Sequence, residues 1–477
     1  MQTNSKKALV LGLGASGYTA AKFLSEHGWS VKICDTRKEP GLLTKARENI
    51  ANFQFFGECM DKEILEDESL VVISPGLSPY YSQASSIVNE AQSRGIEVVG
   101  EIELFARELQ RLKAERNYVP KIIGITGTNG KTTTTMLTSA IIKTAGKTIC
   151  TAGNVGPNAL GELDRLTKED KLPEYWVLEL SSFQLETTQS LRCDVATLLN
   201  VTEDHVDWHG SMDAYNRAKA RIFTEGTVRV LNREDSVCMQ YADPNVSVMT
   251  FGIDEPKKIN QFGLKKVAEE FWLSGNLNKQ FSREGCCEWL SILPQNKLKI
   301  RGRHNVMNAL ASVALCLSCG VDLVDVIEAL TVYGGEPHRV QTVLKTQDLE
   351  FVDDSKGTNV GATVAALSGF DQQKIVLILG GDGKGQDFSP LVNPVKEHAR
   401  AVVLIGQEAP QLETLLKECN LPLCRASSMR EAVKLCVEEA QKGDVVLLSP
   451  ACASWDMFKN YVERSELFLK AAQELTR

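Results

Sequence analysis

Apolar positions along this chain gather into short continuous runs rather than into long alternating or heptad patterns. Three of them, ALVLGL (8–13), KIIGIT (121–126) and IVLILGG (375–381), each pass into a glycine-rich turn and then into a stretch of helical periodicity. Strand, glycine turn and helix in succession predict parallel sheets with covering helices. Such turns fall at the carboxyl edge of the sheet, where open α/β folds take their ligands. TTTTMLTSAIIKTAG (132–146) and SMDAYNRAKARIF (211–223) predict helices, the second capped by Ser211. FARELQRLKAERNYVP (105–120), charged and amphipathic, predicts a further helix that ends at Pro120. Between about 227 and 300 the runs VRVLN, VSVMTFG and LKI read as short strands separated by polar turns.

Three α/β domains are the expected organisation. One boundary falls near residue 102, beside the charged helix. The other falls at YGGEPHR (333–339), where Gly-Gly and Pro interrupt the pattern. A chain of 477 residues is long enough for this, and 43% hydrophobic with 24% charged residues is the balance of a soluble globular protein. The net charge of −8, with no Lys/Arg block, argues against a nucleic-acid partner. No apolar run approaches the roughly 18 residues of a membrane helix. The N-terminus runs directly into a strand without signal-peptide order, so a cytoplasmic location is expected. The 13 cysteines are odd in number and scattered, which predicts thiols rather than a disulfide framework. Cys316 and Cys319 form a single C-x-x-C within an apolar helix pattern. A zinc site wants a second pair, so these read as small buried residues.

Candidate chemistry sits on the glycine turns. Gly12-x-Gly14-x-x-Gly17 follows a strand, and Asp35 closes the next one. That spacing suits a diphosphate at a helix N-terminus, whether of NAD or of another nucleotide. The second turn, GITGTNGKTTTT (124–135), resembles a phosphate loop but lacks the first glycine of the usual template, where Ile125 stands. Even so, Lys131 can reach outer phosphates and Thr132 can ligate Mg²⁺. Downstream, Glu179 ends an apolar strand in VLELSSFQLE (177–186). NVTEDHVDWHG (200–210) carries Glu203, Asp204, His205 and Asp207, and Lys219 lies on the helix after it. Carboxylates and an imidazole at strand ends beside a phosphate loop suit Mg²⁺. In the C-terminal part, Arg339 and Lys356 are candidates for a phosphate or carboxylate clamp. A nicotinamide-dependent oxidoreductase would account for Gly12–Gly17 and Asp35 but leaves the second loop idle. A nucleotide-binding regulator would use both loops but not the C-terminal motifs.

TGTNGKTT, GNVGPN, LELSSFQLE, NVTEDHVDWHG, AKARIF, GRHNVMNALA, PHR, DDSKGTN and LSPACASWDMFKN occur in this order over nearly the whole chain. Together they resemble the Mur ligase family. TGTNGKT is shared with sister ligases and folylpolyglutamate synthases, whereas LSSFQLE, DSK-x-TN and SPACAS-x-D-x-F resemble the D-glutamate-adding branch. The resemblance implies a Rossmann-like domain at 1–101, a central P-loop ATPase-like α/β domain at 102–335 and a Rossmann-like C-terminal domain at 336–477. It implies ATP-dependent joining of D-glutamate to UDP-N-acetylmuramoyl-L-alanine through an acyl phosphate, in peptidoglycan precursor synthesis, by a monomer without nucleic-acid or membrane partners.

The resemblance also distributes the site. Gly14, Ala15, Ser16, Asp35, Thr36, Arg37, Ser74 and Gly76 would take uridine diphosphate, with Asn154 and His205 on the rest of that substrate. Gly127, Thr128, Asn129, Gly130, Lys131, Thr132, Thr133, Asn308, Arg339 and Asp354 would take ATP, and Lys356, Thr358, Ser454 and Tyr461 D-glutamate. Thr132, Glu179, His205 and Lys219 would hold Mg²⁺, two ions in all, with Lys219 carbamylated, and Lys131, His205 and Lys219 would be catalytic. Gly357 departs from the alanine usual in the family and Tyr461 from the phenylalanine of some relatives. The stretch 106–120 is longer than in compact relatives.

Overall fold

Each apolar run becomes an inner strand of its own sheet in the computed structural model, which describes residues 6–51, 53–278, 288–370 and 373–476. Lys7–Leu11 is the middle strand of a five-stranded sheet, flanked in parallel by Ser30–Asp35 and Leu70–Ile73. Phe53–Gly57 and Glu97–Val99 are its edges. Lys121–Thr126 lies in a nine-stranded sheet between Tyr175–Glu179 and Val195–Leu198, again in parallel. Ile375–Gly380 lies in a six-stranded sheet between Val445–Leu448 and Ala399–Ile405, and only the edge strand Gln341–Lys345 runs antiparallel. The continuous apolar character of the inner strands follows from burial on both faces. In the first sheet Leu9 and Leu11 pack with Ile87 and Val88 on one side, while Ala8 and Val10 pack with Ala20 and Leu24 on the other.

By contacts the chain divides into two compact units. One comprises Met1–Lys266, Trp272–Ile292 and Leu310–Ala329, the other Val267–Phe271, Leu293–Ala309 and Leu330–Arg477. The first two sheets share a unit because one apolar cluster joins them, running from Val10 and Leu24 through Phe105 and Leu112 to Trp176 and Leu178. The helix Glu101–Arg116 supplies the middle of that cluster, and it starts at the proposed boundary rather than beyond it. Its first residue, Glu101, is buried, with one carboxylate oxygen taking the Leu160 N–H at 2.6 Å. The other oxygen has no hydrogen-bond partner, and burial pushes the carboxyl up to about 7.

The expected helices form at Lys131–Thr144 and Met212–Ala220, and the Ser211 hydroxyl oxygen accepts the Ala214 N–H at 3.2 Å. LKI does not form a strand. Pro294 ends the preceding strand and Gln295–Lys297 turn as a short 3₁₀ helix, which leaves three residues with no ladder to join. None of the described cysteines is disulfide-bonded. Cys286 and Cys287 lie outside the described residues. Among the described residues no helix is long and apolar enough to cross a membrane.

Candidate functional site

The first glycine turn opens a cavity of about 350 Å³ whose lining includes Gly14, Ala15, Ser16, Asp35, Thr36, Arg37, Ser74 and Gly76. All eight residues expected around the uridine diphosphate are therefore together. Packing explains the glycines. A Cβ at Gly17 would lie 1.8 Å from the Gly12 carbonyl oxygen, and Ser74 Oγ donates to that same oxygen at 2.7 Å. Asp35 is buried, yet its carboxylate is held below the usual range. Burial pushes it up, and the hydrogen bonds from Arg37 and the Leu13 N–H outweigh that. Leu13 N–H reaches Oδ2 at 2.7 Å, and the Arg37 guanidinium spans both oxygens at 2.8 Å. Asp35 thus organises the turn and presents the exposed Arg37 at the cavity mouth.

The second turn is built on the strand Lys121–Thr126 and the helix Lys131–Thr144. Gly130 caps that helix at φ +82°, a left-handed conformation in which a Cβ would be strained. Asn200 fixes the loop, accepting the Asn129 N–H at 2.8 Å and donating to the Asn129 carbonyl at 3.0 Å. Lys131 Nζ curls over its own loop onto the carbonyls of Gly127 and Thr128, each at 2.8 Å. Thr132 and Thr133 begin the helix beneath it and are buried. The turn joins strand to helix as a phosphate loop does, and residue 125 belongs to the strand.

Around this loop the structure gathers several residues distant in sequence. Lys219 is buried, donates to the Gly127 carbonyl at 2.9 Å, and has Nζ 4.4 Å from the Tyr215 ring centre. Burial, with the Lys131 charge beside it, holds its amine well below the ordinary lysine range. Glu179 ends its strand with Oε1 on Asn154 Nδ2 at 2.8 Å and with Oε2 buried and unpartnered. Asn154 and Glu179 thus meet directly. His205 starts a short helix at φ +54° beside Asp204, its ring 4.6 Å from that of Phe183.

Two further residues were not expected from sequence. Tyr215 bonds Thr128 through its hydroxyl at 3.1 Å and supports Lys219 from one helical turn earlier. His209 is buried on Ser182 Oγ at 2.9 Å, and burial pushes it down to about 4, so it is a neutral imidazole. The i, i+4 spacing of Tyr215 and Lys219 is a signal the sequence contains.

The remaining expected residues belong to the second unit. Asn308 donates to Asn305 Oδ1 at 3.1 Å on the first turns of the helix Arg303–Ser318. Asp354 is buried and pushed up to about 7 by its burial, and it accepts from Ser449 Oγ at 2.7 Å. The Arg339 charge acts on it in the opposite sense, which places the two side chains near each other. Lys356 Nζ lies 5.5 Å from the ring centre of Tyr461, and Ser355 Oγ donates to the Tyr461 carbonyl at 2.8 Å. Thr358 follows on the same loop. Ser454 is buried, and its neighbour Trp455 is 72% exposed. The third glycine turn bonds this region through Asp382 and Ala453, at 3.0 and 2.8 Å, and carries the exposed Lys384, also not expected. A Cβ at Gly357 would stand 2.5 Å from Asp354 Oδ2, so the departure from alanine leaves that carboxylate its place.

Three family models match the chain in sequence order. They are a Mur ligase MurD-like N-terminal domain at 6–100, a Mur ligase middle domain at 125–316 and a Mur ligase, glutamate ligase domain at 338–452. The chain is 47% identical to a UDP-N-acetylmuramoylalanine--D-glutamate ligase of Ralstonia nicotianae, covering 98% of this chain and 96% of that one. It is equally close, with the same coverage, to the enzyme of that name from Cupriavidus pinatubonensis. Among solved structures it is similar in fold to a UDP-N-acetylmuramate-alanine ligase of Thermotoga maritima, with TM-score 0.56 and 20% identity over 98% of this chain and 99% of that one. A MurF of Acinetobacter baumannii gives TM-score 0.58 at 19% identity over 86% and 93%.

Proposed function

Because the chain belongs to the Mur ligase family, we propose that it joins D-glutamate to UDP-N-acetylmuramoyl-L-alanine with cleavage of ATP to ADP and phosphate. The full-length likeness to D-glutamate ligases carries this reading, and the nicotinamide alternative falls with it. The three sheets support domains at 1–101, 102–335 and 336–477. The enzyme acts as a cytoplasmic monomer in peptidoglycan precursor synthesis.

A carboxylate is a poor electrophile, so the alanyl carboxylate first takes the γ-phosphoryl group of ATP. The neutral D-glutamate amine then attacks the acyl carbon, its nitrogen gives up a proton to solvent or to the departing phosphate, and phosphate leaves with the C–O electron pair. Gly14, Ala15, Ser16, Thr36, Arg37, Ser74 and Gly76 hold the uridine diphosphate on the turn that Asp35 braces, while Asn154 and His205 meet the sugar-peptide. The loop Gly127–Thr133 wraps the ATP phosphates with its N–H groups, and Lys131 places its charge on the outer ones. Asn308, Arg339 and Asp354 complete the nucleotide contacts. Lys356, Thr358, Ser454 and Tyr461 hold the amino acid.

The residues also fit Mg²⁺. The ion prefers oxygen ligands, and Glu179 offers a buried oxygen with no hydrogen-bond partner beside a helix start that carries the Thr132 hydroxyl. His205 would complete the set. Lys219 suits it only as a carbamate, since an ammonium has no acceptor. Its buried amine favours the neutral form, which can add CO₂ and lose a proton. Bound there, two Mg²⁺ ions would offset the repulsion between carboxylate and γ-phosphate.

The test is phosphate release from ATP, which should require both UDP-N-acetylmuramoyl-L-alanine and D-glutamate. Equal turnover with L-glutamate or a diamino acid would place the chain in another branch of the family.

A further inference from the structure

Two non-glycine residues of the second unit take left-handed backbone on either side of Arg339: His338 at φ +65° and Val340 at φ +46°. A β-branched residue resists that conformation, so the surroundings must impose it, and such imposed strain clusters at working sites. The constraints come from one loop. Asp353, fully buried, accepts from His338 Nδ1 at 2.8 Å and from Ser465 Oγ at 2.5 Å on one oxygen, and from the Ser355 N–H at 2.8 Å on the other. Asp354 accepts the Val340 N–H. Lys356 N–H donates to the His338 carbonyl at 3.2 Å. Three residues of the loop therefore grip both neighbours of Arg339, and the ring of His338 also meets Tyr461 edge-on, with centres 5.8 Å apart.

We infer that His338 is a positioning residue for ligation. Through Asp353 it fixes Arg339, which serves the phosphates, and Lys356, which serves the amino acid, as one piece. Both halves of the reaction then draw on a side chain that touches neither substrate and whose Nδ1 meets both Asp353 and, at 2.9 Å, Ser465 Oγ. The inference rests on the assignment of Arg339 to ATP and Lys356 to D-glutamate made above.

The two halves can be read separately. Hydroxylamine intercepts the acyl phosphate as a hydroxamate without D-glutamate, and kcat/KM for D-glutamate in the complete reaction reports capture of the amino acid. His338→Ala should depress both by about tenfold or more, the scale of a typical coupling energy. His338→Asn keeps an N–H donor for Asp353 and tolerates left-handed backbone, and it should restore both to within about threefold of wild type, well under that coupling energy. An alanine variant that loses only one half overturns the inference. So does an asparagine variant as poor as alanine, since the imidazole itself would then be required. If His338→Ala folds poorly, Asp353→Asn tests the same bond and should depress both halves. The double variant His338→Ala/Asp353→Asn should be no worse than the poorer single variant, and additive losses overturn the inference. A wild type that forms neither hydroxamate nor D-glutamate product overturns the assigned reaction, and this inference with it.

Discussion

Among the described lysines and arginines only Lys219 and Arg464 are buried, and the fold treats them in opposite ways. Arg464 spreads its guanidinium over Ser355 Oγ at 3.0 Å, the Ser355 carbonyl at 2.7 Å and the Cys452 carbonyl at 3.1 Å. Lys219 has one carbonyl and the face of a tyrosine. Both are pushed down by burial, Arg464 to about 10 and Lys219 well below its ordinary range. A buried cation with an acceptor for each of its three nitrogens has the partners of a structural brace. An amine with three possible donors and a single oxygen acceptor is underserved, which is the pattern that perturbed functional groups share.

The strongest way to break this contrast is to remove the underserved amine. Lys219→Ala should lower ligation by about a hundredfold or more, the scale of losing one electrostatic contact to a transition state. Added acetate should partly restore it by standing in for the carbamate. Full activity in the alanine variant would return Lys219 to the status of a brace. Lys219→Met should be equally inactive yet keep or raise the Tm, because it replaces a buried amine with an apolar chain.

Arg464→Met should do the reverse. It strands the Ser355 and Cys452 carbonyls in the interior, at about 1–3 kcal/mol for each unsatisfied group, so the Tm should drop by several degrees in a thermal melt. A more stable Met variant would dissolve the contrast from the other side.

Asp35 extends the comparison to a buried anion that is fully served. Asp35→Ala should weaken UDP-N-acetylmuramoyl-L-alanine by about tenfold, or ~1.4 kcal/mol, and leave ATP unchanged in titration calorimetry. Tight binding of NAD(H), lost in this variant, would revive a dinucleotide site.

The smallest effect is expected at Glu101, a buried carboxyl with one orphan oxygen. Its folded value of about 7 lies above the ordinary 4.5, so between those limits the folded state holds the proton that the unfolded state releases. Stability therefore falls as pH rises from about 4.5 to 7 and then levels off. Glu101→Gln should abolish this contribution, leaving its Tm advantage over wild type larger at pH 8 than at pH 5. A difference independent of pH would show that the carboxyl is already ionised below pH 5.

Local pattern made much of this legible. The three strand-turn-helix units were readable because burial on both faces leaves an apolar run and because each turn needs glycine. The turn marked Lys131 and Thr132 as candidates and the strand end marked Asp35, whereas the neighbours of Asp35 in the cavity, such as Ser74 and Gly76, came only through the family resemblance. Arg464 was not, since its partners at Ser355 are 109 residues away in sequence and nothing local marks an arginine as buried. The His338–Asp353–Ser465 cluster escaped for the same reason. Tyr215 was within reach one turn before Lys219, but an aromatic at that spacing reads first as core. LKI was misread because an apolar–charged–apolar alternation suits a strand edge as well as a loop that turns Ile300 inward.

Trp455 stands exposed beside Ser454, whereas Trp176 is sealed in the core. Indole emission moves to shorter wavelength as water leaves the ring. Trp455 is therefore an unlabelled optical gauge beside Ser454, read against the emission of the other five tryptophans, of which Trp289 is also exposed. Titrating D-glutamate while following that emission, with Trp455→Phe as the blank, would report in real time, and separately from turnover, whether the amino acid reaches the loop proposed to hold it.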